Sequence, residues 1–418
     1  MKETRERCAG LDVHRDTIVA CVLIGYRESA KKEIQTFSTQ TAGIKNLANW
    51  LQEREVHDVV IESTGIYWRP IFKYFDGKFN VVLANPYHVK NAKGRKTDVK
   101  DSEWLCRLFK ADAISPSFIP PENIRRLREL VRFRKITARE KAKTKNRIIK
   151  VLENANIKLS SVFSDVFGQT AWLIVERIIA GERDPVALTS LLHSKIKSSR
   201  EEIQKALDGM LSEDDIVILK QMKNQLAEQE QWIVRIDQEI ETHSKKFRQE
   251  VELLQTIPGI SSQVALVIIS EIGIDMNQFP THERLASWAT LCPGNNESAG
   301  KKKSSRTRRG NNYLKSTLIQ SAWAASRTKN TYLQAKYRAL AARKGGKKAA
   351  VAVAHRILTA CYYILKKRCE YKELGAGFLD KLQSERKAKY HVKRLEELGY
   401  HVQTVEKVKD GVKETVFI

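Results

Sequence analysis

The chain of 418 residues is long enough for two or three domains, and its 42% hydrophobic content supports real cores. Its 74 Lys and Arg against 49 Asp and Glu leave a formal charge of +25, too large an excess to be neutral decoration; nucleic acid is the default partner, with a highly charged solvated surface as the plain alternative. Six scattered cysteines without a Cys-x-x-Cys pair exclude a dense disulfide scaffold and fit reduced thiols in a cytosol.

The charged start, Met1 to Arg7, has no signal-peptide core, and a cytoplasmic location is expected. From residue 8 to about 110, strands and helices alternate. Ala9–His14 reads as a buried strand, Thr17–Ile24 as its hairpin partner and Lys32–Ser38 as a third strand. Ala42–Arg54 has helical spacing, with Ile44, Leu47, Ala48 and Leu51 on one face. Asp58–Glu62 is a short β-branched run, Ile66–Phe75 an aromatic helix, and Phe79–Ala84 a strand stopped by Asn85-Pro86. A further helix starts near Thr97 or Asp98 and carries Trp104, Leu105 and Leu108. This order predicts an α/β domain over residues 1–115 with a mixed five-stranded sheet. Trp68 and Trp104 are expected to pack in its core rather than to stack on bases.

Pro116, Pro120 and Pro121 mark the boundary to a basic helical region, 116–255. Its stretch Arg125–Lys150 is dense in cations, with Leu127, Leu130, Val131 and Ile136 as an apolar face. Arg125, Arg128, Arg132, Arg139, Lys143 and Arg147 are the candidate nucleic-acid contacts there. Leu219, Met222, Leu226, Ile233, Ile236, Ile240 and Phe247 then form a heptad seam, interrupted by Gln229 and His243. The seam suits a coiled coil between chains or a long hairpin within one.

A mostly α domain, 256–370, follows. It comprises Ile257-Pro258-Gly259-Ile260, a helix at Gln263–Ile272, Leu285–Leu291, a polar basic loop from Pro293 to Asn312, and helices near Tyr313–Arg327 and Ala349–Lys367. The Pro-Gly turn is either a plain turn or a helix-hairpin-helix element, in which backbone N–H groups around Gly259 would meet a phosphate. No apolar run is expected to approach the ~20 residues of a membrane helix. Residues 371–418 are a charged extension with a candidate hairpin, His401–Val408 and Lys413–Phe417, and no assigned chemistry.

Four carboxylates carry the chemical expectation. Asp12 lies inside an apolar strand, where a carboxylate is costly unless paired. Glu62 ends the run Val-Val-Ile-Glu, and the carboxyl ends of strands are where open α/β sheets place ligands. Asp98 and Asp101, three apart at a helix head, share one face. Singly, Asp98 reads as a helix cap, Asp101 as a dipole partner and Glu62 as the partner of a surface Lys. Jointly they would repel each other, and a divalent cation removes that conflict. Oxygen ligands suit Mg²⁺, with Mn²⁺ as the substitute. Two such ions roughly 3.5–4 Å apart serve phosphoryl transfer. An Asp in the first strand, a Glu ending the fourth and acids on a later helix is the layout of a ribonuclease-H-like nuclease.

Three motifs, Gly10-Leu11-Asp12-Val13-His14, Ile61-Glu62-Ser63-Thr64-Gly65 and Lys96-Thr97-Asp98-Val99-Lys100-Asp101, resemble the DEDD transposases of the insertion-sequence one-ten family. Ile257-Pro-Gly-Ile through Leu291-Cys-Pro-Gly and Arg309-Gly-Asn-Asn resemble that family's C-terminal domain. The resemblance implies a RuvC-like nuclease domain and a serine nucleophile delivered to the carboxylates, from a partner subunit. It also implies a covalent 5′-phosphoserine link, a structured guide RNA and double-stranded DNA at element ends and target; strand exchange needs two DNA sites held together, so a dimer or tetramer is expected, with the heptad seam as one contact.

The matching serine is Ser298, in Asn296-Glu297-Ser298-Ala299-Gly300-Lys301. The family has Gly directly after Ser, whereas Ala299 intervenes here, so Ser304 and Ser305 are the fallback candidates. Lys301, Lys302, Lys303, Arg306, Arg308 and Arg309 would hold the scissile phosphate. Without the resemblance, the segment reads as a basic DNA-contacting loop with an incidental serine. Gly294 to Lys301 mimics a P-loop with one residue too many and Lys302 in the Ser/Thr position, which argues against an ATPase. Two rivals share parts of this pattern. One is a RuvC-like nuclease or Holliday-junction resolvase that uses water. The other is a non-catalytic nucleic-acid-binding protein with a vestigial nuclease domain.

Overall fold

In the computed structural model, the buried apolar runs near the N-terminus become the strands of one sheet. The structure describes residues 4–26, 30–62, 65–84, 98–114, 116–190, 192, 196–294, 296–298, 301–304, 306–307, 310–402, 404–409 and 412–417. These divide into two compact units, Met1–Ile119 and Pro120–Ile418.

In the first unit β1 (Arg7–Val13), β2 (Thr17–Ile24), β3 (Lys31–Ser38), β4 (Asp58–Glu62) and β5 (Asn80–Ala84) form a five-stranded sheet in the order β3-β2-β1-β4-β5. The first three strands meander antiparallel, while β4 runs parallel to both β1 and β5. This mixed sheet matches the expected ribonuclease-H-like class. Strand alternation divides the side chains between two faces. Ala9, Leu11, Val13, Val59 and Ile61 pack with α1 (Thr41–Gln52) and α2 (Trp68–Phe75). Cys8, Cys21, Val60 and Ala84 face the other way, onto α3 (Asp98–Lys110) through Leu105, Cys106 and Phe109.

Helix α3 lies antiparallel along β1. The Thr4 N–H donates to Lys110 O at 2.9 Å, and the Cys8 and Cys106 sulfurs are 3.6 Å apart. Gly10 fits beneath the helix because it has no side chain: a Cβ there would lie 2.5 Å from Ser102 O and 2.7 Å from Cys106 N. Both obstacles are backbone, so neither can swing aside. Gly10→Ala is therefore expected to lower stability by roughly 1–3 kcal/mol, the usual cost of overpacking. A thermal melt that matches wild type would show that α3 is not so closely seated. Trp68 packs at the edge of the core as expected, but Trp104 is 39% exposed, because it lies off the buried stripe of α3.

The second unit is mostly helical. Its long helix α4 (Glu122–Asn154) leads into α5 (Leu159–Val162), α6 (Gln169–Ile179), α7 (Pro185–Thr189) and α8 (Arg200–Leu207), which share a core with Ile148, Leu152 and Leu219. The heptad seam lies on α9 (Glu213–Ser244), where Leu219, Leu226, Gln229, Ile236 and Ile240 are buried. Helix α9 packs along α4, and Lys141–Glu230 (2.8 Å) and Arg134–Asp237 cross between them. The seam is thus used within the chain. The buried face of α4 is Ile124, Leu127, Val131, Thr137, Thr144, Ile148 and Leu152; Ile136, expected there, is 42% exposed.

Then come α10 (Arg248–Gln255), α11 (Ser262–Ile272), α12 (His282–Trp288), a hairpin of β6 (Asn296–Ser298) and β7 (Lys301–Ser304), α13 (Asn312–Ala325), α14 (Tyr332–Lys344) and α15 (Gly346–Lys367). By length and composition α15 could cross a membrane, contrary to the expectation that no segment approaches that limit. Its Ala350, Val353, Ala354, Ile357, Leu358 and Cys361 are buried against its neighbours, so its apolarity serves the core of this unit. The extension forms α16 (Phe378–Glu397) and a hairpin of β8 (Thr404–Lys409) and β9 (Val412–Phe417).

Candidate carboxylate site and serine hairpin

The parallel pairing of β1 and β4 sets Leu11 opposite Ile61, and Asp12 and Glu62 are the next residue of each strand. Adjacent strands run about 4.8 Å apart, so the two acids stand side by side at one sheet end. Leu11 and Ile61 face α1 and α2, so by alternation Asp12 and Glu62 lie on the α3 face. The Asp12 side chain is only 13% exposed, and its Oδ2 lies 3.3 Å from Nε2 of His14.

The α3 helix aims its start at the same place. Ser102, Leu105, Cys106 and Phe109 form its buried stripe. Counting back one turn from Ser102 and Leu105 gives positions 98 and 101. The contact pairs, Lys110 near Thr4 just before β1, then Cys106 near Cys8 and Ser102 near Gly10 along it, advance one helical turn for four and then two residues of the other segment. One more turn brings the helix start level with Asp12. Within β1 the step from Cys8 to Gly10 matches one turn of the helix, since a helical turn rises ~5.4 Å and two strand residues span ~6.6 Å. Glu103, off the stripe, ties the helix to β3 through Lys32 at 3.0 Å and receives Arg107 at 2.8 Å.

The backbone of Asp98 opens α3, while its side chain lies outside the described residues. Among the described residues no three His, Cys, Asp or Glu side chains gather closely enough to hold one ion, and that includes Asp12, Glu62 and Asp101. The donor chemistry fits a hard cation nonetheless: the expected ligands are all carboxylates, and Asp12 is largely withdrawn from solvent.

Ser298, expected in a loop, is on a strand. Its register partner is Lys301, and these two close the pairing of the β6–β7 hairpin. Asn296 pairs with Ser304 at the open end, where Gly294 N–H donates to Arg306 O at 2.9 Å and Pro293 bridges Thr307. The side chains of Ser298, Lys301, Lys302, Lys303 and Ser304, and the whole of Ser305, Arg308 and Arg309, lie outside the described residues; Arg306 is exposed.

The hairpin leads into α13, whose start is held by a buried clamp the sequence reading passed over. Glu271 is fully buried, and both its carboxylate oxygens accept from Arg132, each at 2.7 Å. Asn311 donates to Glu271 at 2.7 Å and caps α13 by accepting from Leu314 N–H at 3.1 Å. Arg128 donates to the carbonyls of Ser270 (2.9 Å) and Glu271 (2.7 Å) at the end of α11. Lys135 donates to Tyr313 O, Ser316 and Thr317, and burial, then the nearby Arg139, lowers its pKa. Glu271 was findable as the lone charge in the apolar run Val264–Ile272, where a carboxylate demands partners.

Of the expected nucleic-acid contacts on α4, Arg128 and Arg132 are thus engaged internally, and Arg125 is half-buried near Pro120 O at 3.4 Å. Arg139, Lys143 and Arg147 remain exposed in one row. Gly259, with φ +88°, sits against α13: a Cβ there would lie 2.5 Å from Ser321 O. Packing and backbone conformation account for this glycine.

Two family models match the chain. Residues 9–157 match a DEDD model of the IS110 type described as Transposase, and residues 251–338 match one described as Transposase IS116/IS110/IS902 family. No curated protein matches the chain.

Proposed function

Because the chain belongs to the IS110 family of DEDD transposases, we propose that it cuts and rejoins DNA through a serine nucleophile at a divalent-metal carboxylate centre. The observation that carries the proposal is the placement of Asp12 and Glu62 on neighbouring strand ends, on the sheet face covered by the helix that Asp98 opens. The family suggests use of a divalent metal; in our reading Asp12, Glu62, Asp98 and Asp101 bind Mg²⁺, which Mn²⁺ can replace. When bound, such ions neutralise charge on the phosphodiester and favour both the attacking and the leaving oxygen.

Ser298 Oγ attacks the DNA phosphorus. The Oγ–P bond forms, the P–O3′ bond breaks, and the hydroxyl proton ends on the departing 3′-OH. The resulting 5′-phosphoserine link preserves the bond energy for a second 3′-OH to reverse the step on another strand. Lys301, Lys302, Lys303, Arg306, Arg308 and Arg309 hold the phosphate around the hairpin. Arg139, Lys143 and Arg147, exposed along α4, lie against nucleic acid. The partners we propose are element-end and target duplexes and a structured guide RNA. Holding two DNA sites together requires a dimer or tetramer.

The test is a denaturing gel of protein incubated with element-end DNA, copurified RNA and Mg²⁺. Wild type and Ser304→Ala are expected to give a DNA–protein adduct, and Ser298→Ala none. If Ser298→Ala cuts as fast as wild type and neither protein forms an adduct, water is the nucleophile and the protein is a resolvase-like nuclease; an adduct that persists in Ser298→Ala moves the role to Ser304 or Ser305.

A further inference from the structure

Between Ser298 and Cys369 the chain has nineteen Lys and Arg and not one Asp or Glu. Those nearest Ser298 belong to the hairpin already discussed. A second group gathers where α14 turns into α15. Gly345, at φ +79°, both ends α14 and caps α15, so one residue reverses the chain. Arg343, Lys344, Lys347 and Lys348 flank that corner, and all four are exposed. Just behind them Lys336 has its pKa lowered by burial, then by Arg356 and Arg343. Like charges crowd here with no carboxylate nearby in sequence, an arrangement an anion relieves.

The corner also has an aromatic floor. Trp323 of α13 is 37% exposed, and its ring centroid is 5.5 Å from that of Tyr337 on α14. A Cβ built on Gly346 would lie 2.9 Å from Tyr337 Oη and 3.5 Å from the Trp323 ring, so the pair borders the first turn of α15. Cations beside an accessible ring match a strand whose bases are free to stack. A duplex offers phosphates but hides its base faces.

We infer that the α14–α15 corner binds an unpaired nucleic-acid strand, with Arg343, Lys344, Lys347 and Lys348 on its phosphates and a base stacked on Trp323. This rests on the nucleic-acid partner proposed above, but not on the carboxylates or Ser298. The full chain is titrated by fluorescence anisotropy against a labelled unpaired oligonucleotide, as DNA and as RNA, and against the matching duplex, across a salt series. Lys347→Ala/Lys348→Ala is expected to flatten the salt slope for the unpaired strand by about 1.4, ~0.7 for each lost phosphate contact. Trp323→Ala should weaken the unpaired strand at least about fivefold and spare the duplex, and Trp323→Phe should retain most of the affinity. Lys366→Ala/Lys367→Ala, at the far end of α15, serves as the charge-matched control and should change neither. If the corner variants bind like wild type, or Trp323→Ala weakens duplex and unpaired strand alike, the inference is overturned and the recombinase reading stands. If wild type binds none of the probes, both fail.

Discussion

Asp12→Asn is expected to abolish metal-dependent DNA cleavage while leaving the first unit folded. The change removes a charge but keeps the shape of a side chain that is only 13% exposed. If Asp12 holds an ion, the loss should be about 4 kcal/mol of transition-state stabilisation or more, roughly a thousandfold in rate. Glu62→Gln should behave alike, since Glu62 occupies the equivalent end of the adjoining strand. Duplex binding should persist in both variants, because phosphate contacts come from the cationic surfaces. Cleavage assays over a Mg²⁺ series, with melting curves taken without metal, check this. Wild-type cleavage by Asp12→Asn would remove the carboxylates from the chemistry. A large drop in melting temperature would make Asp12 a structural acid.

Arg132→Ala should be the most destabilising of the single changes considered. It leaves the fully buried Glu271 without its two-pronged partner, and breaking a buried pair this way costs about 3–5 kcal/mol. Arg128, 3.5 Å from the same carboxylate, softens the loss without replacing the geometry. The double change Arg132→Met/Glu271→Leu should recover much of the stability, since it removes the stranded charge as well. Chemical denaturation of the three proteins separates these outcomes. A single variant within about 1 kcal/mol of wild type would mean that Glu271 finds other partners. The double variant also frees Asn311, so the β6–β7 hairpin should lose protection in hydrogen exchange even where stability returns.

The first unit was readable from sequence nearly residue by residue. Thr17–Ile24 and Asp58–Glu62 were expected with the bounds they have, because short β-branched runs buried in a sheet leave little freedom in where they start and stop. The family models and the motifs around Asp12, Glu62 and Asp98 agree on the kind of protein. The second unit was less legible, for identifiable reasons. Lys-Lys-Lys-Ser has no strand propensity, so the β6–β7 hairpin read as loop; its pairing comes from the backbone rather than from side-chain preference. Arg128 and Arg132 looked like surface cations because their partner, Glu271, is 139 residues away from Arg132. Periodicity identified the seam on α9 but could not say whether its partner was another chain or α4.

The matched pitch of α3 against β1 makes that helix a ruler. Adding or deleting one residue between Ser102 and Cys106 would turn everything upstream by about 100° while the downstream half stayed docked. Positions 98 and 101 would swing off the sheet, and Trp104 or its neighbours would be driven inward. Length changes in this helix should therefore be far less tolerated than side-chain changes on its outer surface. A scan of single-residue insertions would register this as a sharp loss of function confined to one turn.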